Sequence, residues 1–318
     1  MANKTKAKGS AQPPIEDVLS TFESLRELYQ LERFGLSPIP TGFEGLDRLL
    51  AGGFTPGSLN LLAPFQQGNS ATAFALSLAR RAGHFLPALY VSTTHPRSEL
   101  VLALLAATSV VPIERLWQGE LTQQELDEVR QALHELRTNQ HLAFQAEPNL
   151  NLPRLREVLI RTLKGGQRPP SLIVVDTVQL LAEMPLTYAW QDERELHGAE
   201  IMASLKRLAL EFEVALLAVY RLPRHTTDPD KRRVDWRKVG WSIELDALLE
   251  LAPFSSPPEK QNGEGSASQT GGEDPRVPGA SFHEIKVWRS RGVAAGQQLF
   301  HYWPTYRLFE EVEAASPG

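Results

Sequence analysis

The sequence contains no cysteine among its 318 residues. This absence excludes disulfide bonds, thiolate nucleophiles and zinc sites built from cysteine. The eight histidines offer no substitute, because none of them forms the i, i+4 pair of a zinc-binding HExxH helix. Any metal ion is therefore expected to arrive with a nucleotide.

The sequence also lacks a long apolar run and an excess of positive charge. No segment approaches the roughly 18 to 20 apolar residues of a membrane helix, and Met1–Ser10 lacks the apolar stretch of a secretory signal. We therefore expect a cytoplasmic protein without membrane contact. The formal net charge of -5 argues against a uniformly basic surface for nucleic acid, but it is compatible with a local basic strip.

What the sequence does contain is an alternation of short apolar runs and helical stretches. The predicted strands are Leu59–Ala63, Pro87–Ser92, His141–Gln145, Ser171–Asp176, Val214–Tyr220, Phe282–Trp288 and Gln297–Trp303, with Tyr306–Phe309 closing the sheet. The predicted helices are Ala71–Ala82, Arg97–Ala107, Thr122–Leu136, Pro153–Leu163 and Asp192–Phe212. This order predicts an α/β fold, a mostly parallel twisted sheet with helices on both faces. Ligands bind such sheets beyond the carboxyl ends of strands, here after Ala63, Ser92, Asp176 and Tyr220.

The ends and one internal segment differ in composition from the rest. Residues 1–14 are predicted to be a disordered tail, and residues 312–318 form a second tail. Apolar side chains at helical spacing predict an amphipathic linker helix at 15–37, whose stripe packs either on its own domain or on a neighbouring subunit. One folded domain is expected over residues 38–311, with a disordered insertion at 253–279 that is rich in Pro, Gly, Ser, Gln and Glu.

Residues 59–74 have the strand, loop and helix order that a phosphate loop requires. Such a loop holds phosphates with backbone N–H groups and a helix N-terminus, while a Lys contacts the β and γ phosphates and a Ser or Thr hydroxyl binds Mg²⁺. Compared with G-x-x-x-x-G-K-[ST], the sequence keeps Gly68 and Ser70 but has Ala63 and Asn69 in place of the first Gly and the Lys. On this pattern alone, an ordinary strand-turn-helix connection is the competing interpretation.

An ordered series of short motifs resembles the motor domain of bacterial replicative helicases of the DnaB type. The series comprises Ile39–Phe43, Leu46-Asp47, Gly52-Gly53, Gly119–Thr122, Ile173–Asp176 with Gln179–Leu181, Ser204–Ala209 before Glu211, Asp230–Arg232, Ser242–Glu244 with Asp246-Ala247, and Arg289–Arg291 before Gly296. The resemblance implies a RecA-like P-loop NTPase core with ATP and Mg²⁺ as cofactors. The amino-terminal domain that these helicases use for ring formation and primase contact is expected to be missing, since fewer than 40 residues precede Ile39.

The resemblance also assigns roles to individual residues. Asp176 ends an apolar strand at the position of the Walker B carboxylate, where it would hold Mg²⁺ together with Ser70. Gln179 matches a glutamine near the nucleotide. The phosphate loop would bind the nucleotide through Gly68, Asn69, Ser70 and Ala71. Arg289 and Arg291 match an arginine finger that reaches the γ-phosphate of a nucleotide on a neighbouring subunit.

Three positions depart from the family pattern. Asn69 replaces the phosphate-binding Lys, and Thr94 stands where the family has the Glu that polarises the attacking water. A hydroxyl cannot take a proton at neutral pH as a carboxylate can, so the general base is expected to be lost. Glu99 and Glu183 are alternatives, but neither lies at the expected place. At the third position, Tyr220-Arg221 replaces a Ser-Gln pair.

A local basic strip follows the last predicted strand of the parallel region. Its cations and tryptophans would bind single-stranded DNA through phosphate contacts and base stacking, near where the family has its DNA-contacting loops. The competing interpretation is a solvated loop whose tryptophans pack on their own domain. The strip contains Arg221, Arg224, Lys231, Arg232, Arg233, Trp236 and Arg237.

These observations predict a degenerate DnaB-like protein of DNA replication or repair. It would bind DNA or helicase subunits, forming a homo-oligomeric ring or associating with a helicase, with impaired ATP hydrolysis. One alternative is an active ATPase or helicase, in which Arg80, Arg81 or Arg221 supplies the cation that Asn69 lacks. Another is a RecA-fold regulator similar to RadA or KaiC, which Ile39–Phe43 and Asp230–Ala247 fit less well.

Overall fold

The computed structural model describes residues 37–64, 70–138, 141–147, 150–164, 170–181, 191–221, 245–253, 280–289 and 295–312. The predicted tails, apart from Val312, and the predicted linker helix, apart from Ser37, lie outside these residues. So does the predicted insertion, apart from its first residue. Those predictions therefore remain predictions. The described residues from Pro38 onward belong to one compact unit.

The described strands form a single sheet that is parallel on one side and antiparallel on the other. They are β1 (Leu59–Pro64), β2 (Ala88–Ser92), β3 (Leu142–Ala146), β4 (Leu172–Asp176), β5 (Ala215–Val219), β6 (Ala247–Pro253), β7 (Ser281–Arg289), β8 (Gly296–Trp303) and β9 (Leu308–Glu311). Their order is β3-β2-β4-β5-β1-β6-β7-β8-β9. Strands β3 to β6 in this order pair in parallel, and the pairs from β6 to β9 are antiparallel.

Helices cover both faces of the parallel strands. The helices are α1 (Glu44–Leu49), α2 (Ser70–Ala82), α3 (Arg97–Ser109), α4 (Ile113–Gln118), α5 (Gln123–Thr138), α6 (Leu152–Lys164) and α7 (Gln191–Phe212). Apolar side chains of α2 and α3, including Phe74 and Leu100, pack in one core cluster. Side chains of α6 and α7, including Leu155 and Leu205, pack in the other. Because strands such as β5 are buried on both faces, they read as continuous apolar runs.

The predicted fold class is confirmed, with three local differences. Strand β6 was not predicted. Pro253, which was predicted to begin the insertion, is the last residue of β6. The prediction missed this strand because Glu250 interrupts its short apolar run and Pro253 ends it. Helices α1 and α4 have six residues each, too few for helical periodicity to stand out. Among the described helices, none is long and apolar enough to cross a membrane.

The motif at Ile39–Phe43 has a structural role in this fold. The carboxylate of Asp47 accepts hydrogen bonds from the backbone N–H groups of Thr41 (2.7 Å) and Gly42 (3.3 Å). Gly42 has φ +79°, and a Cβ there would lie 2.6 Å from Cβ of Arg81. The Arg81 guanidinium donates to the Gly42 carbonyl at 3.2 Å and lies 4.4 Å from the ring centre of Phe43. The turn thus fastens the beginning of the domain to the end of α2.

An aromatic cluster fixes the position of α2 from the other side. The ring of Phe74 lies 5.6 Å from that of Phe43, 5.2 Å from Phe300 and 5.1 Å from Phe309. All four rings are almost completely buried. The cluster joins the beginning of the domain, α2 and the antiparallel strands, so it determines where the first turn of α2 meets the sheet.

Candidate nucleotide site

Three parallel strands end, and one helix begins, at the same edge of the sheet. In the strand register Ser92 pairs with Asp176, and Asp176 pairs with Val219. Residues that follow β2, β4 and β5 are therefore neighbours. Helix α2 begins at Ser70, immediately after the loop that follows β1. This is the edge at which the sequence predicted a ligand.

Asp176 is the central acidic group of this edge. It is completely buried. The Tyr90 hydroxyl donates to its Oδ2 at 2.8 Å, and the Thr177 hydroxyl donates to its Oδ1 at 2.8 Å. Burial, followed by the charge of Asp176, raises the pKa of Tyr90 well above its usual value. Tyr90 therefore stays protonated and keeps donating to the carboxylate.

The guanidinium of Arg221 forms an ion pair with this carboxylate. Nε lies 3.4 Å from Oδ1 of Asp176, and Nη2 lies 3.4 Å from Oδ2. The same Nη2 donates to the Thr72 hydroxyl, in the first turn of α2, and to Nε2 of His95. The side chain of Arg221 is 25% exposed. A fixed cation thus lies between the carboxyl end of β4 and the beginning of α2.

His95 extends these contacts to α3. Its backbone N–H donates to the Ser92 hydroxyl at 2.9 Å, which fixes the turn after β2. Since a guanidinium can only donate, Nε2 of His95 must accept from Arg221, which leaves Nδ1 to face Oε1 of Glu99 at 3.1 Å. Glu99, considered above as a replacement for the family Glu, is therefore engaged by His95.

The other described residues of the predicted site have the following positions. Ser70 and Ala71 are the first residues of α2, and Ala71 is buried. Gln179 lies in the 3-10 helix Val178–Leu181, and its side-chain amide donates to the backbone carbonyl of Arg221. Thr94 is exposed, and its backbone N–H faces the Ser92 hydroxyl at 3.4 Å.

Of the remaining predicted residues, one lies at a strand end. Arg289 ends β7. The others lie outside the described residues and stay predictions: Gly68, Asn69, Arg224, Lys231, Arg232, Arg233, Trp236, Arg237 and Arg291. Arg221, which the sequence assigned to the DNA-binding strip and also considered as a replacement cation, contacts Asp176.

Of the three arginines considered as a replacement cation, Arg221 is the one that reaches the site. Arg80 and Arg81 lie ten and eleven residues beyond Ser70 on α2, about 15 Å along the helix axis. Arg81 is held there by Gly42 and Phe43. The cation of this site therefore comes from the end of β5.

Tyr90, Thr72 and His95 were missed by the sequence analysis. Tyr90 reads as an ordinary strand residue. Thr72 lies two residues beyond Ser70, and His95 lies one residue beyond Thr94. Ser70 and Thr94 were selected because they match motif positions, and their neighbours were not. A search for any hydroxyl or imidazole close to the motif positions would have included both.

A small pocket adjoins the site between α2, α3 and α4. Its volume is 80 Å³, below the roughly 300 to 1,000 Å³ of typical ligand sites. The polar and aromatic groups that line it are Thr72, His95, Glu99, Trp117 and Arg307. It is a side pocket of the candidate site, too small to hold a ligand of nucleotide size by itself.

The sheet order and the site at its carboxyl edge define an α/β protein with a RecA-like fold. The sequence profile described as "DnaB-like helicase C terminal domain" matches residues 38–248, more than half of the chain, and the chain belongs to that family. The predicted resemblance is thereby confirmed.

Individual relatives agree with this assignment. The chain is 29% identical over 255 residues to the replicative DNA helicase DnaB of Buchnera aphidicola subsp. Schizaphis graminum, covering 78% of this chain and 53% of that protein. It is 30% identical over 255 residues to DnaB of Haemophilus influenzae, covering 77% and 52%. The chain thus spans about half the length of these curated relatives.

Solved structures support the fold. A structure described as a DnaB-like replicative helicase and its interactions with primase has a TM-score of 0.69 at 16% identity, covering 96% of this chain and 68% of that one. The ATPase domain of G40P has a TM-score of 0.68 at 17% identity, covering 96% and 100%. At these identities the likeness concerns the fold alone.

Proposed function

We propose that this chain serves DNA replication or repair in the cytoplasm as a DnaB-family protein that binds DNA, helicase subunits or both, and hydrolyses ATP poorly. The observation that carries the proposal is the ion pair between Arg221 and Asp176. The acidic group that the family pattern assigns to catalysis is already engaged by a cation of the chain itself.

Two further departures support impaired hydrolysis. Thr94 replaces the family Glu, and loss of a general base typically lowers a rate about 100- to 10,000-fold. Asn69 replaces the Lys, which removes a charge-assisted contact worth roughly 1.5 to 3 kcal/mol. Glu99 is held by His95 at 3.1 Å. The described part of the chain therefore gives no support for a replacement base that is free to act.

Association with other subunits is the second part of the proposal. One structural neighbour is described as a DnaB-like replicative helicase that interacts with primase. We propose that this chain joins a ring, either of its own copies or of helicase subunits, with Arg289 and Arg291 at the subunit boundary. The strip from Arg224 to Arg237 would face single-stranded DNA.

An active ATPase is the second candidate. It is favoured by one observation, that Arg221 contacts the first turn of the phosphate-loop helix through Thr72. If Arg221 leaves Asp176 when nucleotide binds, its guanidinium would supply the charge that Asn69 lacks.

Steady-state phosphate release separates the two candidates. The impaired form predicts turnover well below one per second in the full chain, with or without single-stranded DNA. Asp176→Ala is the control, because true turnover at this site depends on that carboxylate. Turnover near one per second or faster that Asp176→Ala abolishes would establish the active enzyme and refute the proposal.

A further inference from the structure

The guanidinium of Arg221 lies among groups contributed by three separate elements. Asp176 ends β4, Thr72 lies in the first turn of α2, and His95 follows β2. A strand-end carboxylate and a hydroxyl at the beginning of a phosphate-loop helix are the protein groups that hold Mg²⁺ in P-loop NTPases. In this chain the same two kinds of group hold an arginine.

These residues do not fit a divalent metal ion. Each oxygen of Asp176 has a hydroxyl donor and a guanidinium nitrogen as partners. Mg²⁺ requires near-ideal octahedral geometry at about 2.0–2.1 Å, so it could bind only after Arg221 had left. A second cation beside the guanidinium would be repelled, because like charges at this distance oppose each other strongly near a protein interior. No group of three or more acidic or histidine side chains suited to a metal occurs among the described residues.

The arginine is held in place from both ends. Its backbone carbonyl accepts from the Gln179 side chain, and the preceding residue, Tyr220, donates its N–H to Leu62 of β1 at 2.9 Å. The contacts described above for the side chain use Nε and Nη2, and the side chain is one-quarter exposed. A guanidinium keeps its charge at all physiological pH values and can bind a phosphate with two N–H groups.

We infer that Arg221 acts as a resident cation in place of the divalent metal, so that this site takes a nucleoside di- or triphosphate without Mg²⁺. The part that concerns nucleotide rests on the proposed function. The exclusion of metal does not, because it depends only on Arg221, Asp176 and Thr72. The two parts can therefore fail separately.

Mn²⁺ serves as the probe of the metal site, followed by electron paramagnetic resonance of the free ion. Four full-length proteins are titrated: the wild type, Arg221→Gln, the double variant Arg221→Gln with Asp176→Asn, and Arg307→Gln. Arg307 lines the neighbouring side pocket, so its replacement removes a nearby cation without touching the ion pair. Circular dichroism confirms that each variant is folded.

The inference expects Arg221→Gln to bind Mn²⁺ at least tenfold more tightly than the wild type. The double variant and Arg307→Gln should remain like the wild type. Wild-type binding as tight as that of Arg221→Gln would overturn the inference, and so would the absence of any gain in the folded variant.

The nucleotide part is tested on the wild type, so it does not depend on the folding of a variant. A fluorescently labelled ATP analogue is titrated with the wild-type protein in EDTA and again in excess Mg²⁺. Dissociation constants within a factor of two support the inference, whereas tightening of tenfold or more by Mg²⁺ would overturn it. Absence of binding in both buffers refutes the nucleotide part alone, and the Mn²⁺ titration still decides the exclusion of metal.

Discussion

The two partners of the central ion pair should contribute unequally to stability. Asp176 is completely buried, while Arg221 is 25% exposed. Breaking a buried pair by removing one partner costs roughly 3 to 5 kcal/mol, because the other charge is left buried and uncompensated. In Arg221→Gln the stranded group is Asp176, which keeps its hydrogen bonds from Tyr90 and Thr177. We therefore expect a loss of about 2 to 3 kcal/mol.

In Asp176→Asn the stranded group is Arg221, which has access to water. We expect that variant to lose only about 1 kcal/mol, within the range of a lost hydrogen bond. The double variant should be more stable than Arg221→Gln alone, since no uncompensated charge remains in it.

Urea denaturation followed by circular dichroism measures these differences as shifts of the midpoint at unchanged slope. The measurement is repeated at high salt, which should change the order of the variants little, because buried pairs are weakly screened. The reasoning is refuted if Arg221→Gln lies within about 0.5 kcal/mol of the wild type, as a surface pair would. It is also refuted if Asp176→Asn is the less stable of the two single variants.

Three other predictions concern the tyrosine of the site, the core and the basic strip. The pKa of Tyr90 is raised in the folded state, so its contribution to stability is complete below the unfolded pKa near 10 and is lost as pH rises above it. The unfolding free energy of the wild type should therefore fall more steeply above pH 10 than that of Tyr90→Phe, by up to about 1.4 kcal/mol per pH unit. Urea denaturation at pH 9 to 11 measures this difference. Parallel pH dependences of the two proteins would contradict the prediction. Phe74→Ala should cost about 3 to 5 kcal/mol, since the ring is fully buried against three other aromatic rings, and thermal denaturation should show Phe74→Leu to cost clearly less. In fluorescence titrations of single-stranded DNA against salt, a triple alanine variant of the strip should flatten the log-log slope by up to about two units, while Trp236→Ala weakens binding by about 1 to 3 kcal/mol at nearly constant slope. The triple variant replaces Lys231, Arg232 and Arg233. If neither the triple variant nor Trp236→Ala changes the affinity for DNA, the strip is a solvated loop.

The sheet was predictable because its parallel strands are buried on both faces and its helices have long apolar stripes. Strand β5 is an uninterrupted apolar run, and β1 and β4 each contain one polar residue, Asn60 and Asp176. Strand β6 escaped prediction because its central position, between β1 and β7, depends on strand order, which no local pattern encodes. Its apolar run is interrupted by Glu250 and ends at Pro253.

One residue of the site, the acid at the end of β4, could be predicted from the sequence. Asp176 follows from the rule that ligands bind such sheets beyond the carboxyl ends of strands. The arginine that meets it could not be assigned, because the contact joins residues 45 positions apart, and its contacts with Thr72 and His95 span 149 and 126 positions. Motif alignment placed the roles on Ser70 and Thr94, whereas packing of α2 and the turn after β2 brings Thr72 and His95 to Arg221.

The register between β6 and β7 offers a position for a spectroscopic reporter. Pro253 pairs with His283, so the chain leaves and rejoins the sheet at adjacent points of the rim, and Pro253 is exposed. Because β6 runs parallel to β1, this is the rim to which the candidate site belongs. It lies two strand spacings, about 10 Å, to the side of β5 and four residues beyond the level of Val219, where β5 ends. The chain has no cysteine of its own, so Pro253→Cys would carry its one thiol, and a dye attached there would report on whatever enters the site.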